Sequence, residues 1–263
     1  MHRPVLVTRP GARGEALAAA MAARGWPVAR LEAMRLEVLP ETPERRAAWL
    51  DFDHFRRVVV VSPFAAECLA EALDRYWPQL PLGSDYYAVG RATAAVLHER
   101  LGVRVHVPPL DTGEDTSEAL LALGSLRRLD GEKALIVAGE GGRPLLADTL
   151  AARGARVTRL AVYRRVLQAP DAEMRRRLAH GEYRALVVSS GEILEYLARW
   201  CSDAALNQPL IVSSARLATL AGKLGFRTPR VARGATPTAL VAAVADACDP
   251  QEADVDQDDL EKG

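Results

Sequence analysis

The chain has 263 residues, 49% of them hydrophobic, enough for one large core or two ordinary ones. Its 34 lysines and arginines balance 34 aspartates and glutamates, so no global field recruits nucleic acid or a membrane surface, and a charged ligand must be held locally. Cys68, Cys201 and Cys248 are odd in number and far apart, which argues against a disulfide framework or a CxxC zinc site; with no secretory leader and no run of about 18 apolar residues, a cytoplasmic setting is expected.

From the N-terminus, short runs rich in valine and isoleucine alternate with alanine- and leucine-rich stretches of helical period. This is the pattern of βα units around a buried parallel sheet. Clear strands are expected at Pro4 to Thr8, Val58 to Ser62, Tyr86 to Gly90, Ala134 to Ala138, Ala185 to Ser189 and Leu210 to Ser213, each followed by a turn and a helix. Weaker strand signals lie at Pro27 to Leu31, Arg104 to Val107, Arg156 to Leu160 and Arg227 to Val231, after RG or LG turns whose glycine can end a helix. Leu36 to Arg46 and Val166 to Arg176, with prolines and charge, read as inter-domain crossings. The acidic end, from about residue 249, lacks periodic apolar positions and reads as a disordered tail.

The second half of the chain echoes the first in order. VLVTRPGARGEALAAAMAARGWPVARLEAM matches ALIVAGEGGRPLLADTLAARGARVTRLAVY without a gap, setting Gly25 on Gly154 and Met34 on Tyr163. VVVVSPFAAECLAEAL then matches LVVSSGEILEYLARW, with Ser62 on Ser189; YAVGRATAAVLHERLG matches IVSSARLATLAGKLG, with Gly90 on Ser213; and TSEALL matches TPTALV, with Thr116 on Thr236. Alanine-rich helices resemble one another, but four matches in one order indicate a duplication.

In parallel α/β sheets ligands bind beyond the carboxyl ends of strands, where helix N-termini offer free N–H groups. The strand tips here carry Thr8 and Arg9; Ser62; Gly90, Arg91 and Thr93; Gly139 to Arg143; Ser189 and Ser190; Ser213, Ser214 and Arg216. Any one of these hydroxyls or glycines is also an ordinary helix cap; their recurrence at nearly every tip points to an anion-binding rim. No GxxxxGK[ST] loop, GxGxxG spacing or GxSxG elbow is present, and the five histidines are scattered without metal spacing. A reaction that needs mainly positioning fits this set better than one needing a metal or a strong acid-base pair.

Up to about Ala247 the chain resembles the uroporphyrinogen-III synthase family. The resemblance is carried by VLVTRP at the start, VVSP at Ser62, YAVGRATAAVL around Thr93, LAVYRR around Tyr163, VVSSG around Ser189 and ATPTAL around Thr236. It implies two Rossmann-like or flavodoxin-like parallel-sheet α/β domains joined by two extended crossings. One would comprise residues 1–36 and 165–250 and the other, inserted, residues 37–164, with substrate between them. It further implies a lyase that cyclises hydroxymethylbilane to uroporphyrinogen III in tetrapyrrole biosynthesis, losing water and inverting the terminal pyrrole ring through a spiro intermediate. The family pattern is a monomer without cofactor or metal, with hydroxymethylbilane synthase as the source of substrate.

Residue by residue, the resemblance matches Tyr163 to the family's cleft tyrosine, whose phenol keeps its proton at neutral pH and can donate to the departing hydroxyl. A tyrosine that merely buttresses a crossing is the other reading of that position. Thr93 matches a cleft threonine that binds carboxylate or caps its helix. Ser62, Ser189, Ser190 and Thr236 also fall on matching positions, and Arg9, Gly90, Arg91 and Gly139 complete the expected substrate rim. At the tip after Ile211 the family's glycine and threonines are replaced by Ser213, Ser214, Ala215 and Arg216, so Arg216 is either a carboxylate contact or a solvent-facing helix residue. Two other classes remain open at this point: a two-lobed small-anion binding protein, and a regulatory protein with a synthase-like fold and no activity.

Overall fold

The computed structural model describes residues 3–109 and 116–248. In chain order the first elements are β1 (Val5–Val7), α1 (Gly11–Ala22), β2 (Val28–Arg30) and β3 (Met34–Val38). Next come α2 (Pro43–Leu50), β4 (Arg57–Val60), α3 (Pro63–Tyr76), β5 (Asp85–Ala88), α4 (Arg91–Leu101), β6 (Val105–His106) and α5 (Ser117–Leu121). Then follow β7 (Lys133–Gly139), α6 (Leu145–Ala152), β8 (Arg156–Leu167), α7 (Ala172–His180), β9 (Ala185–Val188) and α8 (Gly191–Ala198). The last are α9 (Asp203–Leu206), β10 (Leu210–Val212), α10 (Ala215–Lys223), β11 (Pro229–Val231) and α11 (Pro237–Cys248). The chain divides into two compact units, Met1–Arg35 with Val166–Gly263, and Leu36–Arg165.

The first unit holds a five-stranded sheet in the order β11-β10-β9-β1-β2, parallel throughout. Its strands are buried on both faces: Val5, Val7, Ala185 and Val187 pack against Leu17, Met21 and Leu240, while Leu6, Leu186 and Val188 pack on the other side against Leu178, Ile193 and Leu217. This two-sided burial explains why the strands read as continuous apolar runs rather than alternating ones. Each such Val or Leu contributes roughly 1.5–3 kcal/mol on burial.

The second unit holds a sheet in the order β3-β8-β7-β4-β5-β6. Val58, Val60, Leu135 and Val137 face a core built with Leu69, Leu73 and Leu97; Val59, Ala134 and Ile136 face Leu120, Leu126 and Leu150. Ser62 and Pro63 start α3 as N-cap and first helical residue, and Gly102 ends α4 in the left-handed conformation.

The duplication is visible in the ladders. Val5 opposite Val28 corresponds to Ala134 opposite Val157, Leu6 opposite Leu186 to Leu135 opposite Val58, and Leu210 opposite Pro229 to Tyr86 opposite Val105. Both units therefore have the flavodoxin-like strand order, the second circularly permuted. The first repeat supplies β1 and β2 to one sheet and β4, β5 and β6 to the other; the second repeat does the converse. The expected duplicated, two-sheet architecture is the one observed.

Two details of the sequence reading are corrected. The ladders set Ser62 on Ser190, not Ser189, and Gly90 on Ser214, not Ser213. A four-residue apolar run can slide by one without losing its character, whereas the pairing register cannot. The crossings are also more regular than expected: Met34–Val38 is a strand hydrogen-bonded to an extended β8, and two of the prolines taken as crossing markers, Pro43 and Pro170, lie at helix starts. Pro43 is at the first turn of α2 behind the Thr42 cap, and Asp171, just after Pro170, caps α7 by accepting from Met174 N–H at 2.8 Å. The stretch read as an acidic disordered tail lies outside the described residues.

Candidate functional site

In the second unit the strand order reverses between β7 and β4, and Tyr163 sits beside this switch point. Along β7 and β8, Ala138 pairs with Ala161 but Gly139 pairs with Tyr163, so β8 carries one extra residue there. This bulge puts the successive residues Val162 and Tyr163 into the same core cluster, where a regular strand would send them to opposite faces. The Tyr163 ring is only 4% exposed and meets Phe64 edge to face, with centroids 5.1 Å apart and an interplanar angle of 89°. Its hydroxyl lies 3.1 Å from Ser62 Oγ, which also accepts from Ala65 N–H at 3.2 Å.

Gly139 is the floor under that ring. A methyl group on its Cα would stand 2.7 Å from Tyr163 Cζ and 3.0 Å from Oη, so only glycine fits. Beside these residues is a cavity of about 140 Å³ lined by Tyr163, the Gly139–Arg143 turn, Ser117, Arg159 and Arg165. Arg159 donates to Gly141 O; Arg143 is paired with Glu118 at 2.5 Å, which raises its pKa. Arg165 is exposed and makes no ion pair with the described residues. Arg159, Arg165 and Phe64 were not singled out from sequence, although alternation along LAVYRR places an arginine two residues beyond Tyr163.

At the next tip of this unit, Gly90 is the N-cap of α4 and offers no side-chain bond to the first turn. Thr93 is buried to 3% exposure in that first turn and is not the cap, which removes one of its two expected roles. Arg91 is exposed and unpaired among the described residues.

The first unit presents its own rim. Thr8 Oγ1 donates to Val187 O at 2.9 Å, tying β1 to β9 across the switch point, so this hydroxyl is structural. Arg9 is half-buried, donates to Ala235 O at 2.5 Å, and lines a cavity of about 360 Å³ with Arg13, Thr236 and Pro237. Burial, then the neighbouring Arg13 charge, lowers the Arg9 pKa. Arg13, missed in the sequence, lies four residues beyond Arg9, in the first turn of α1.

The remaining hydroxyls of this unit sort into caps and open groups. Ser214 Oγ accepts from Leu217 N–H at 3.4 Å and Thr236 Oγ1 from Ala239 N–H at 3.3 Å, so both cap helices. Ser190 stands at the N-cap of α8 but makes no capping bond, and half-buried Ser189 and Ser213 make no side-chain bond with the described residues. Arg216 is exposed, and its Nη1 lies 3.9 Å from where a methyl on Gly191 would be, so it reaches the start of α8. Among the described residues no three His, Cys, Asp or Glu side chains converge as metal ligands would, and no helix is long and apolar enough to cross a membrane.

Two flavodoxin-like units, each with hydroxyls and arginines among its strand tips and helix starts, define a two-domain α/β protein. Residues 3–242 match the family model described as Uroporphyrinogen-III synthase HemD, and the chain belongs to that family. It is 36% identical over 249 residues to the uroporphyrinogen-III synthase of Escherichia coli (strain K12), covering 91% of this chain and 99% of that protein. The Salmonella typhimurium (strain LT2) uroporphyrinogen-III synthase is similar to the same extent, 36% over 249 residues, with coverage of 91% and 99%. Among solved structures, a mutant uroporphyrinogen III synthase from the extremely thermophilic bacterium Thermus thermophilus has a TM-score of 0.59 at 23% identity, covering 92% of this chain and 97% of that one. The uroporphyrinogen-III synthetase of Helicobacter pylori 26695 has a TM-score of 0.54 at 12% identity, with coverage of 92% and 97%; at these identities the likeness is one of fold. Family membership supports an enzymatic lyase activity in porphyrin biosynthesis.

Proposed function

We propose that the protein cyclises hydroxymethylbilane to uroporphyrinogen III, with loss of water and inversion of the terminal pyrrole ring through a spiro intermediate. The observation that carries this reading is the seating of Tyr163, a phenol fixed by Ser62, Gly139 and Phe64 at the wall of a cavity that also holds Arg159 and Arg165. The C–O bond of the hydroxymethyl group breaks with the pyrrole supplying electrons, and the oxygen leaves as water with the phenol proton. The substituted carbon of the terminal ring attacks the methylene to form the spiro centre. The original bridge bond then breaks and re-forms on the other side of that ring, and the proton lost on rearomatisation returns to the phenolate.

The substrate bears an acetate and a propionate on each pyrrole, and the uncapped starts of α1, α4 and α8 with Arg9, Arg91 and Arg216 are suited to carboxylates. Ser189, Ser190 and Ser213 retain hydroxyls free to join them. Orientation, not a powerful catalytic group, supplies the rate and the choice of isomer. The enzyme works as a monomer without cofactor or metal on substrate released by hydroxymethylbilane synthase. Freshly made hydroxymethylbilane is incubated with the protein, the product oxidised and its isomers resolved by chromatography. Predominance of the III isomer is expected; a mixture equal to the protein-free control would overturn the proposal.

A further inference from the structure

We infer that Ser62 and Gly139 are positioning residues for the Tyr163 phenol and act on the reaction only through it, an inference that rests on the reading of Tyr163 given above. Three independent contacts fix the ring. Gly139 leaves the space that the ring fills, since a methyl there would lie 2.7 Å from Cζ and 2.8 Å from Cε2. The backbone on both sides of this contact is held: Glu140 N–H donates to Tyr163 O at 2.7 Å, and the extra residue of the bulge, Val162, accepts from Leu39 N–H at 2.9 Å. Neither strand can yield to an added methyl without breaking a ladder or bulge bond. Phe64 closes the ring from its side.

The remaining freedom is the direction of the phenol hydrogen, and in the pair with Ser62 either oxygen can donate. A serine hydroxyl has one hydrogen and two acceptor sites. One acceptor site takes Ala65 N–H at 3.2 Å, and the hydrogen is free to be given to Tyr163 Oη at 3.1 Å. With Ser62 as donor, the phenol hydrogen is not spent on serine and turns toward the cavity lined by Arg159 and Arg165. After proton transfer the same serine donates to the phenolate oxygen, a charge-assisted bond that is stronger than the neutral one. The Ser62 hydroxyl is thus used twice inside the protein, on the helix start and on the phenol, and Gly139 has no side chain to offer a ligand.

The test is a double-mutant cycle on the full chain, with kcat, KM and the III-isomer fraction measured on hydroxymethylbilane for Tyr163→Phe, Gly139→Ala, Ser62→Gly, Ser62→Thr and the doubles with Tyr163→Phe. Glycine replaces Ser62 because it costs a helix start only a few tenths of a kcal/mol. Gly139→Ala and Ser62→Gly are each expected to lower kcat roughly tenfold to a hundredfold with KM changed less than about twofold. Ser62→Thr, which keeps the hydroxyl, restores most of the rate. In the Tyr163→Phe background each change is expected to add less than about twofold, because the group through which it acts is gone.

Losses that multiply in that background, or a rise in KM with kcat intact, would overturn the inference while leaving the role of Tyr163 standing. Parental turnover by Tyr163→Phe would overturn that role and the inference with it. Should Gly139→Ala not fold, the Ser62 arm of the cycle decides alone.

Discussion

Ser62 and Ser190 hold the same station in their two sheets, immediately before the helix that follows a switch-point strand, yet Ser62 accepts the Ala65 N–H at 3.2 Å while Ser190 caps nothing. The difference separates stability from ligand binding. Ser62→Ala should cost about 1 kcal/mol through the lost cap. Ser190→Ala should stay within about 0.5 kcal/mol, as a substitution that breaks no bond, and raise KM instead. Chemical denaturation followed by circular dichroism measures both, and equal losses would mean that Ser190 caps α8 in solution.

Arg9 and Arg13 bring two guanidinium groups to one cavity, and neither has a carboxylate partner among the described residues. Burial and the Arg13 charge already lower the Arg9 pKa, so an anion entering the cavity relieves a like-charge conflict as well as gaining a hydrogen bond. Arg9→Gln is expected to raise KM about tenfold at low salt and to flatten its salt dependence, since a screened charge pair has been removed. Initial rates over a range of substrate concentrations at two ionic strengths test this. A parallel shift of KM at both would assign Arg9 to packing.

Much of this organisation was legible because the strands are buried on both faces and therefore stand out as valine and isoleucine runs. Gly25 and Gly154, Thr116 and Thr236 were correctly matched because turns and caps demand particular residue types. The one-residue error at Ser189 and Ser213 arose where two adjacent serines follow an apolar run, so composition had nothing with which to choose the register. The extension of β8 through Tyr163 to Leu167 was missed because Arg164 and Arg165 interrupt its apolar run. Whether a hydroxyl caps its helix depends on a hydrogen bond to the third residue on, as in Ser62, Ser214 and Thr236 but not Ser190. Serines in the same sequence setting give no hint of that difference. The Phe64, Gly139 and Ser62 contacts on Tyr163 join residues distant in the chain and needed the folded sheet to be seen.

The cysteines give a pH test. Burial, with Glu71 next, pushes the Cys68 thiol up to about 11, and burial pushes Cys201 up to about 12. An unfolded cysteine loses its proton near about pH 8.5. Below that both states are protonated and these thiols add no pH dependence. Above it the unfolded chain releases protons that the folded chain keeps, so stability falls as pH rises toward the folded values. The melting temperature should decline between about pH 9 and pH 11, and less steeply in Cys68→Ala. Identical slopes would remove Cys68 as a cause.

Gly25 and Gly154 are repeat partners, both with positive φ, +77° and +95°, at the turns that lead into β2 and β8. Alanine at either site must adopt a conformation that costs an L-residue roughly 1–2 kcal/mol. At Gly25 an added methyl meets nothing within 4 Å, so that cost should be the whole effect. At Gly154 it would lie 2.7 Å from Asp130 Oδ1 and 3.0 Å from Asp130 Cα, and the local backbone is held by Gly131 N–H donating to Gly154 O at 3.1 Å. Relief requires moving the turn before β7, so Gly154→Ala should lose about 1–3 kcal/mol more than Gly25→Ala, the range for overpacked sites. Urea denaturation of the two variants compares them directly. Equal losses would show that the turn at Asp130 yields freely and that only the shared backbone conformation requires glycine at these positions.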